Sequence, residues 1–175
     1  MTFDAVIRML HVTAGFAGLV LGAVAMWSRK DRRVHPQLGE CYFVAISVSC
    51  ASGAIIAITD WSRLWYFLLL SAGTYAYAVA GYVAGKRRRG PWLVIHVVGL
   101  ASSYCGLLMA FFSTNMFTSR IVPGLARVPF FLRLAPLMFV STCVVAWTGV
   151  QVYRGKLPKS WKGGLTTGIW TPPVK

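Results

Sequence analysis

The sequence predicts an all-α integral membrane protein, a bundle of about five transmembrane helices. Three observations support this fold class. Hydrophobic residues make up 57% of the 175 residues and charged residues only 13%, about half of the share usual in globular domains. The 18 Lys and Arg residues, set against four acids, lie in short clusters between long apolar runs. Five of these runs reach the length of about 20 residues that a helix needs to cross a bilayer.

Each of the five runs ends at a charged residue, a proline or a glycine. Backbone N–H and C=O groups in lipid need partners within their own segment, so we expect every run to be helical. The predicted spans are Ala5–Trp27, Gly39–Thr59, Leu64–Ala84, Trp92–Ser113 and Arg133–Tyr153. They form one domain, residues 1–155. A basic tail that contains Pro and Gly follows, residues 156–175.

Positive charge is distributed unequally between the two sides of the predicted spans. Thirteen of the 18 cations lie in the first connection, the third connection and the tail, and the other five lie on the opposite side. The positive-inside rule therefore predicts an outside N-terminus and a cytoplasmic C-terminus, as in a protein of the bacterial cytoplasmic membrane. The long fourth connection, residues 114–132, is predicted to be an external cap or a re-entrant segment.

The net charge of +14 alone would suggest a nucleic-acid-binding protein. The clustering of the cations between apolar runs argues against that class and favours anionic lipid headgroups as the counter-charge. Four cysteines lie within apolar runs without a C-x-x-C pair, so they do not indicate a zinc site. The sequence also lacks a phosphate-binding glycine loop and an H-E-x-x-H motif.

Each of the three histidines is followed by small residues at helical spacing. The stripes are His11 with Gly15, Gly18 and Gly22; His35 with Gly39 and Tyr42; and His96 with Gly99, Ser103, Gly106 and Ala110. One interpretation is ordinary close packing of membrane helices, with each histidine bonded across a helix contact. The other is that the glycines make room for a porphyrin edge while imidazoles ligate the iron.

Depth in the membrane predicts which histidines can act together. His35 and His96 both lie near the start of spans that enter from the cytoplasmic side, whereas His11 lies nearer the outer surface. We therefore predict His35 and His96 as the axial ligands of a haem b iron, with His11 as a third candidate. Gly39, Gly99 and Tyr42 are predicted to line the space between the two ligands.

Glu40 is the one acid near the interior of a predicted span. Charges in membranes are usually paired, so a simple ion pair with a loop arginine is the first interpretation. The alternatives are a hydrogen-bond acceptor that orients His35 or His96, or a proton carrier for a quinone.

Three segments of the chain carry a resemblance to a family. They are HVTAGFAGLVLG from His11, HPQLGECY from His35 and IHVVGLASSYCGLLMAFF from Ile95. The chain resembles an uncharacterised family of bacterial membrane proteins, domain of unknown function 2306, over most of its length. The matching residues are His11, Gly15, His35, Gly39, Tyr42, His96, Ser103 and Tyr104. Leu100 replaces a methionine common in the family. The resemblance implies a helical bundle and singles out the histidines, but it implies no activity.

Three functions are consistent with these features. The first is a haem-binding or electron-transfer membrane protein. The second is a non-enzymatic accessory subunit of a larger membrane complex, with a tail that is ordered by docking to a partner or to headgroups. The third is a quinone-linked membrane enzyme that uses Glu40. Membrane lipids and other membrane subunits are the predicted partners in each case.

The topology can be tested with reporter fusions. A reporter that is active only in the periplasm should be inactive when it is fused after Lys175, and a cytoplasmic reporter should be active there, because the positive-inside rule retains basic segments. A fusion within the basic run Lys86–Arg89 should give the same pair of results. Periplasmic activity at either position would reverse the predicted orientation.

Overall fold

A computed structural model describes residues 2–28, 33–115 and 130–154 as five helices. They are α1 (Phe3–Trp27), α2 (Val34–Thr59), α3 (Trp61–Arg87), α4 (Trp92–Asn115) and α5 (Phe130–Tyr153). No strand occurs within these ranges. The all-α prediction is therefore confirmed. Most of the predicted connection at residues 114–132 and the tail at residues 156–175 lie outside the described residues.

All five helices are longer than the apolar runs that predicted them, and α2 and α3 exceed their runs by the most. α2 begins at Val34, so His35 lies in its first turn together with Pro36, which the first turn of a helix tolerates. α3 continues to Arg87, where Lys86 and Arg87 occupy the last turn. Cations there interact favourably with the negative end of the helix dipole. The extra turns bring charged and titratable side chains onto the helices.

The first four helices form an up-and-down bundle. α2 packs between α1 and α3, α4 packs on α3, and contacts between α1 and α4 close the ring. α2 and α4 therefore lie diagonally across the bundle. α5 packs on the outside of α4, where a Cβ added at Gly149 would lie 2.8 Å from Cγ2 of Val98.

Small and polar residues dominate the centre of the bundle. Ile46 and Ser103 are fully buried, both 0% exposed. Buried polar and small residues around them are Ser49, Ser52, Thr74, Ala45, Ala57 and Ala78. Large apolar side chains such as Phe139 and Trp147 instead face outward. Such a distribution suits a lipid environment, where helices associate by close packing and not by hiding apolar surface from water.

The backbones of α3 and α4 are in close contact. A Cβ added at Gly99 would lie 2.8 Å from the Cα and the N of Gly81, and 2.8 Å from the carbonyl oxygen of Tyr77. The two backbones therefore touch, and only glycine leaves enough space. Gly106 packs on Thr74 further along the same contact. This Gly81–Gly99 contact fixes the position of α4 relative to α3.

Four helices, α1 to α4, are long and apolar enough to cross a membrane. In α5 the apolar segment is shorter, Met138–Tyr153, and Pro136 lies within the helix. The chain is thus a multi-pass membrane protein. The fifth crossing and the orientation of the termini remain predictions.

Substitution at the α3–α4 contact should destabilise the bundle. For Gly99→Ala we expect a loss of about 1–3 kcal/mol, the usual cost of forcing an extra group into close packing. Gly73→Ala is the matched control, because nothing lies within 4 Å of a Cβ at that position in α3. Alanine there should be neutral or slightly stabilising, since it favours helix. Thermal unfolding in detergent, followed by circular dichroism, measures both variants. Equal stability of the two variants would contradict the close contact.

Candidate functional site at the histidine end

One end of the bundle collects the last turn of α1, the first turn of α2, the last turn of α3 and the first turn of α4. We call it the histidine end, because His35 of α2 and His96 of α4 meet there. Their ring centroids are 6.4 Å apart and the ring planes are inclined at 81°. Since α2 and α4 are diagonal neighbours, their backbones stand apart and the two imidazoles occupy the space between them.

The orientation of His96 is set by α3. Its Nδ1 lies 2.9 Å from the carbonyl oxygen of Gly81. A carbonyl oxygen only accepts hydrogen bonds, so Nδ1 carries the proton and the lone pair of the neutral ring is on Nε2. The close approach depends on Gly85, where an added Cβ would lie 2.6 Å from Nδ1. Two glycines one turn apart in α3 thus seat the imidazole.

His35 has a similar arrangement with the end of α1. Its Nδ1 lies 3.4 Å from the Oγ of Ser28, and that hydroxyl donates its own proton to the carbonyl oxygen of Ala25 at 3.0 Å. When the Ser28 hydroxyl donates to Ala25, its oxygen is available to accept from Nδ1 of His35, in the same way as the Gly81 carbonyl accepts from His96. Each histidine of the pair thus has Nδ1 beside a protein oxygen.

Trp92 lies beside the pair at the start of α4. Its ring centroid is 6.4 Å from that of His96, and the guanidinium carbon of Arg88 lies 5.5 Å from the tryptophan ring. Within the described part of the chain, the buried Nε1 of Trp92 has no hydrogen-bond acceptor. A buried N–H without an acceptor is costly, so this donor is suited to an acceptor from a bound group.

Toward the centre of the bundle, the site is closed by two tyrosines. The hydroxyl of Tyr42, which is 3% exposed, donates to the Oγ of Ser103 at 2.8 Å, since Ser103 donates its own proton to the Leu100 carbonyl. The hydroxyl of Tyr104 donates to the carbonyl oxygen of Leu19 in α1 at 3.2 Å. Both rings pack against Gly22. These contacts join α1, α2 and α4 just below the histidine pair.

The three residues predicted to line the space between the histidines differ in their surroundings. A Cβ added at Gly39 would have nothing within 4 Å, so open space adjoins α2 there. Tyr42 is buried and bonded to Ser103 of α4. Gly99 instead packs against the backbone of Gly81 and faces α3.

Glu40 forms an ion pair with Lys86 at the end of α3, and both side chains are about half exposed. The partner is a lysine of the helix instead of the loop arginine predicted from the sequence. Pairing lowers the cost of placing both charges near the membrane. The hydrogen-bond partners of the two histidine Nδ1 atoms are Gly81 and Ser28, so Glu40 does not supply those contacts.

His11 lies in a separate cluster toward the opposite end of the bundle. Its Nδ1 is 2.9 Å from the carbonyl oxygen of Ser49 and 3.3 Å from the Oγ of Ser52. The ring packs on Gly53, where an added Cβ would lie 3.0 Å from its Cε1. His11 thus bonds α1 to α2 across a glycine, which is the helix-packing role considered from the sequence.

The sequence interpretation did not include four residues that shape the site. Gly81 and Gly85 hold His96, Ser28 holds His35, and Trp92 supplies the unsatisfied N–H. The spacing of Gly81 and Gly85, one helical turn apart in α3, was the sequence feature that could have indicated a close contact with another helix.

The described residues contain no group of three or more His, Cys, Asp or Glu that could hold a metal ion. Two imidazoles alone suit axial ligation of a metal that brings its own equatorial ligands.

The Tyr42–Ser103 hydrogen bond can be measured by a double-mutant cycle. Tyr42→Phe and Ser103→Ala should each lower the free energy of unfolding, with a coupling of about 0.6 kcal/mol and at most about 1.7 kcal/mol, the average and the maximum from double-mutant cycles between membrane helices. Tyr77→Phe is the control, since that side chain is 54% exposed. Unfolding of the wild-type protein, the two single variants and the double variant by denaturing detergent gives the coupling energy. Additive effects of the two substitutions would show that the bond does not stabilise the bundle.

Comparison of the chain with protein-family models, curated proteins and solved structures finds no match. The resemblance to the family of domain of unknown function 2306 therefore remains a prediction. The geometry of the histidine end is the observation from which a function can be inferred.

Proposed function

We propose that this multi-pass membrane protein binds a haem between His35 and His96 and acts in electron transfer. The observation that carries the proposal is the matched placement of the two imidazoles, each with its Nδ1 beside a protein oxygen. With Nδ1 as the donor in both rings, the lone pair lies on Nε2, the atom that would ligate the iron. Histidines that ligate metals usually donate the other ring N–H in this way, because the contact fixes the tautomer and the ring orientation.

The spacing of the rings is consistent with axial ligation. Two imidazoles bonded to one iron through Nε2 at about 2 Å, from opposite faces, have ring centres roughly 6–6.5 Å apart. The centroids of His35 and His96 are separated by 6.4 Å. The diagonal placement of α2 and α4 keeps their backbones apart, as an intervening porphyrin requires.

The residues around the pair also fit a haem. Open space adjoins Gly39. Trp92 offers an unsatisfied N–H and Arg88 a nearby cation, the donors that a haem carboxylate would need. Tyr42 and Ser103 close the inner side of the site and limit the entry of water from the bundle centre. A haem held by His35 and His96 would supply a one-electron redox couple within the membrane.

An accessory subunit of a larger membrane complex is the second candidate function. His11 and His96 both form hydrogen bonds across a glycine to a neighbouring helix, which is what a purely structural histidine would do. This function needs no cofactor. The quinone-linked alternative has less support, because Glu40 is paired with Lys86.

An absorption spectrum tests the proposed haem directly. The protein, purified in detergent from cells supplied with a haem precursor, should show a Soret band that shifts on reduction by dithionite. His35→Ala should reduce haem content at least tenfold, because one axial ligand is lost, and His96→Ala should do the same. His11→Ala should retain the band, since His11 lies in another cluster.

Circular dichroism of each variant controls for unfolding, which matters for His96 because it also bonds α3. Trp92→Phe adds a variant that leaves both ligands in place and should weaken haem binding by a smaller factor. If the folded wild-type protein binds no haem, even after addition of haemin, the haem proposal is wrong and the accessory-subunit function is favoured. Equal haem loss in all three histidine variants would contradict the assignment of the pair.

A further inference from the structure

A groove with a volume of about 450 Å³ runs between α1 and α2 on the outer face of the bundle. The groove itself is separate from the histidine pair, and only Arg88 of the basic run beside it also lies next to the site proposed for haem. Its walls are Leu10, Ala14 and Ala17 of α1 and Glu40, Val44 and Val48 of α2. The volume lies within the range of about 300–1,000 Å³ that is usual for sites of small ligands.

The walls of the groove are apolar and open to the membrane side. Leu10 is 46% exposed and Val44 is 61% exposed, so both face the surroundings of the bundle. The alanines of α1 are too small to fill the space beside α2. Glu40 is the charged exception, and it lies at one end of the groove.

Glu40 connects the groove to a strongly basic surface. Its carboxylate lines the groove and also pairs with Lys86. Lys86 begins the basic run Lys86–Arg89, whose four side chains are all exposed at the end of α3. Three more cations, Arg87–Arg89, follow Lys86 directly in the chain, so the end of α3 that contacts Glu40 is net positive. An anionic group is the complement of such a surface.

The depths of the groove and of the basic run in the membrane match those of the acyl chains and the headgroup of a phospholipid. Glu40 lies six residues after the start of α2 at Val34, and the groove continues to Val48. At about 1.5 Å per residue, the groove covers the interval from about 9 to about 21 Å below the helix start. That interval lies within the hydrocarbon core, which is about 30 Å thick, and the basic run lies at the headgroup level above it.

We propose that the groove binds one acyl chain of an anionic phospholipid, whose phosphate contacts the basic run Lys86–Arg89. The acyl chain lies along α1 and α2, and Glu40 holds Lys86 at the point where chain and headgroup meet. Charge complementarity selects an anionic lipid over a zwitterionic one. It also distinguishes this occupant from an apolar helix of another protein, which would use the groove but not the basic run.

Photolabelling in lipid nanodiscs tests the proposal. The full-length protein is placed in phosphatidylcholine nanodiscs with a small fraction of phosphatidylglycerol that carries a diazirine on one acyl chain. Mass spectrometry should locate the label on residues 10–17 and 40–48. Excess unlabelled phosphatidylglycerol should displace it, whereas added phosphatidylcholine should not.

Variants test the headgroup contact and the acyl-chain groove separately. Lys86→Gln should weaken competition by phosphatidylglycerol about fivefold, since one cation near the membrane surface contributes about 1 kcal/mol to the binding of an anionic lipid. Arg63→Gln removes an exposed cation at the other end of α3 and should have no effect. Ala14→Leu should reduce labelling of the groove by filling it, whereas Ala76→Leu, at an exposed position of α3, should not.

Three results would overturn the proposal. The first is label spread evenly over the outward faces of all helices, which indicates ordinary lipid contact. The second is equal displacement by phosphatidylcholine, which indicates no headgroup selection. The third is unchanged competition with Lys86→Gln while the variant keeps its thermal stability. Because the assay does not measure haem, its failure and the failure of the proposed function are distinguishable.

Discussion

The contact between Gly81 and Gly99 is the constraint on which most of the described structure depends. Two helix backbones approach until a single methyl group at Gly99 would be 2.8 Å from the atoms opposite. This approach brings the Gly81 carbonyl within reach of His96, one turn along α4. It thereby sets the tautomer of that histidine and aims its ring at His35. The packing of α3 on α4, the hydrogen bond of His96 and the geometry of the candidate site therefore all depend on glycine at Gly81 and Gly99.

Hydrogen bonds of the buried polar side chains also connect the helices of the bundle. Hydroxyls within the helices donate to carbonyl oxygens of the preceding turn, as Ser47 does to Phe43 and Ser52 does to Val48. The longer side chains, Tyr42 and Tyr104, reach across to other helices. An unsatisfied polar group costs several kcal/mol in lipid, so most polar side chains here have partners nearby. The unsatisfied N–H of Trp92 differs from them, and a ligand that accepted its hydrogen bond would stabilise the structure.

Much of the fold could be predicted because the apolar runs are long and their boundaries are marked by charge. The pairing of His35 with His96 could also be predicted, since both lie near the same end of their helices. The helix that Gly99 faces could not be predicted, because a stripe of small residues does not specify which neighbouring helix it contacts. The same ambiguity applies to His11, whose partners Ser49 and Ser52 belong to a helix that the stripe alone does not identify. The full lengths of the helices, above all of α2 and α3, were also missed, since the apolar run is shorter than the helix when polar residues form its first or last turn.

α5 contributes none of the residues that form the histidine end, yet it alters what surrounds that end. Gly149, near the end of α5, packs against Val98, near the start of α4, so the two helices run in opposite directions. Arg154, which follows α5, therefore lies at the same end of the bundle as the basic run Lys86–Arg89. In electrostatic terms, α5 adds an exposed cation to the end of the bundle that is already positive, and so increases the charge asymmetry of the described residues along the bundle axis.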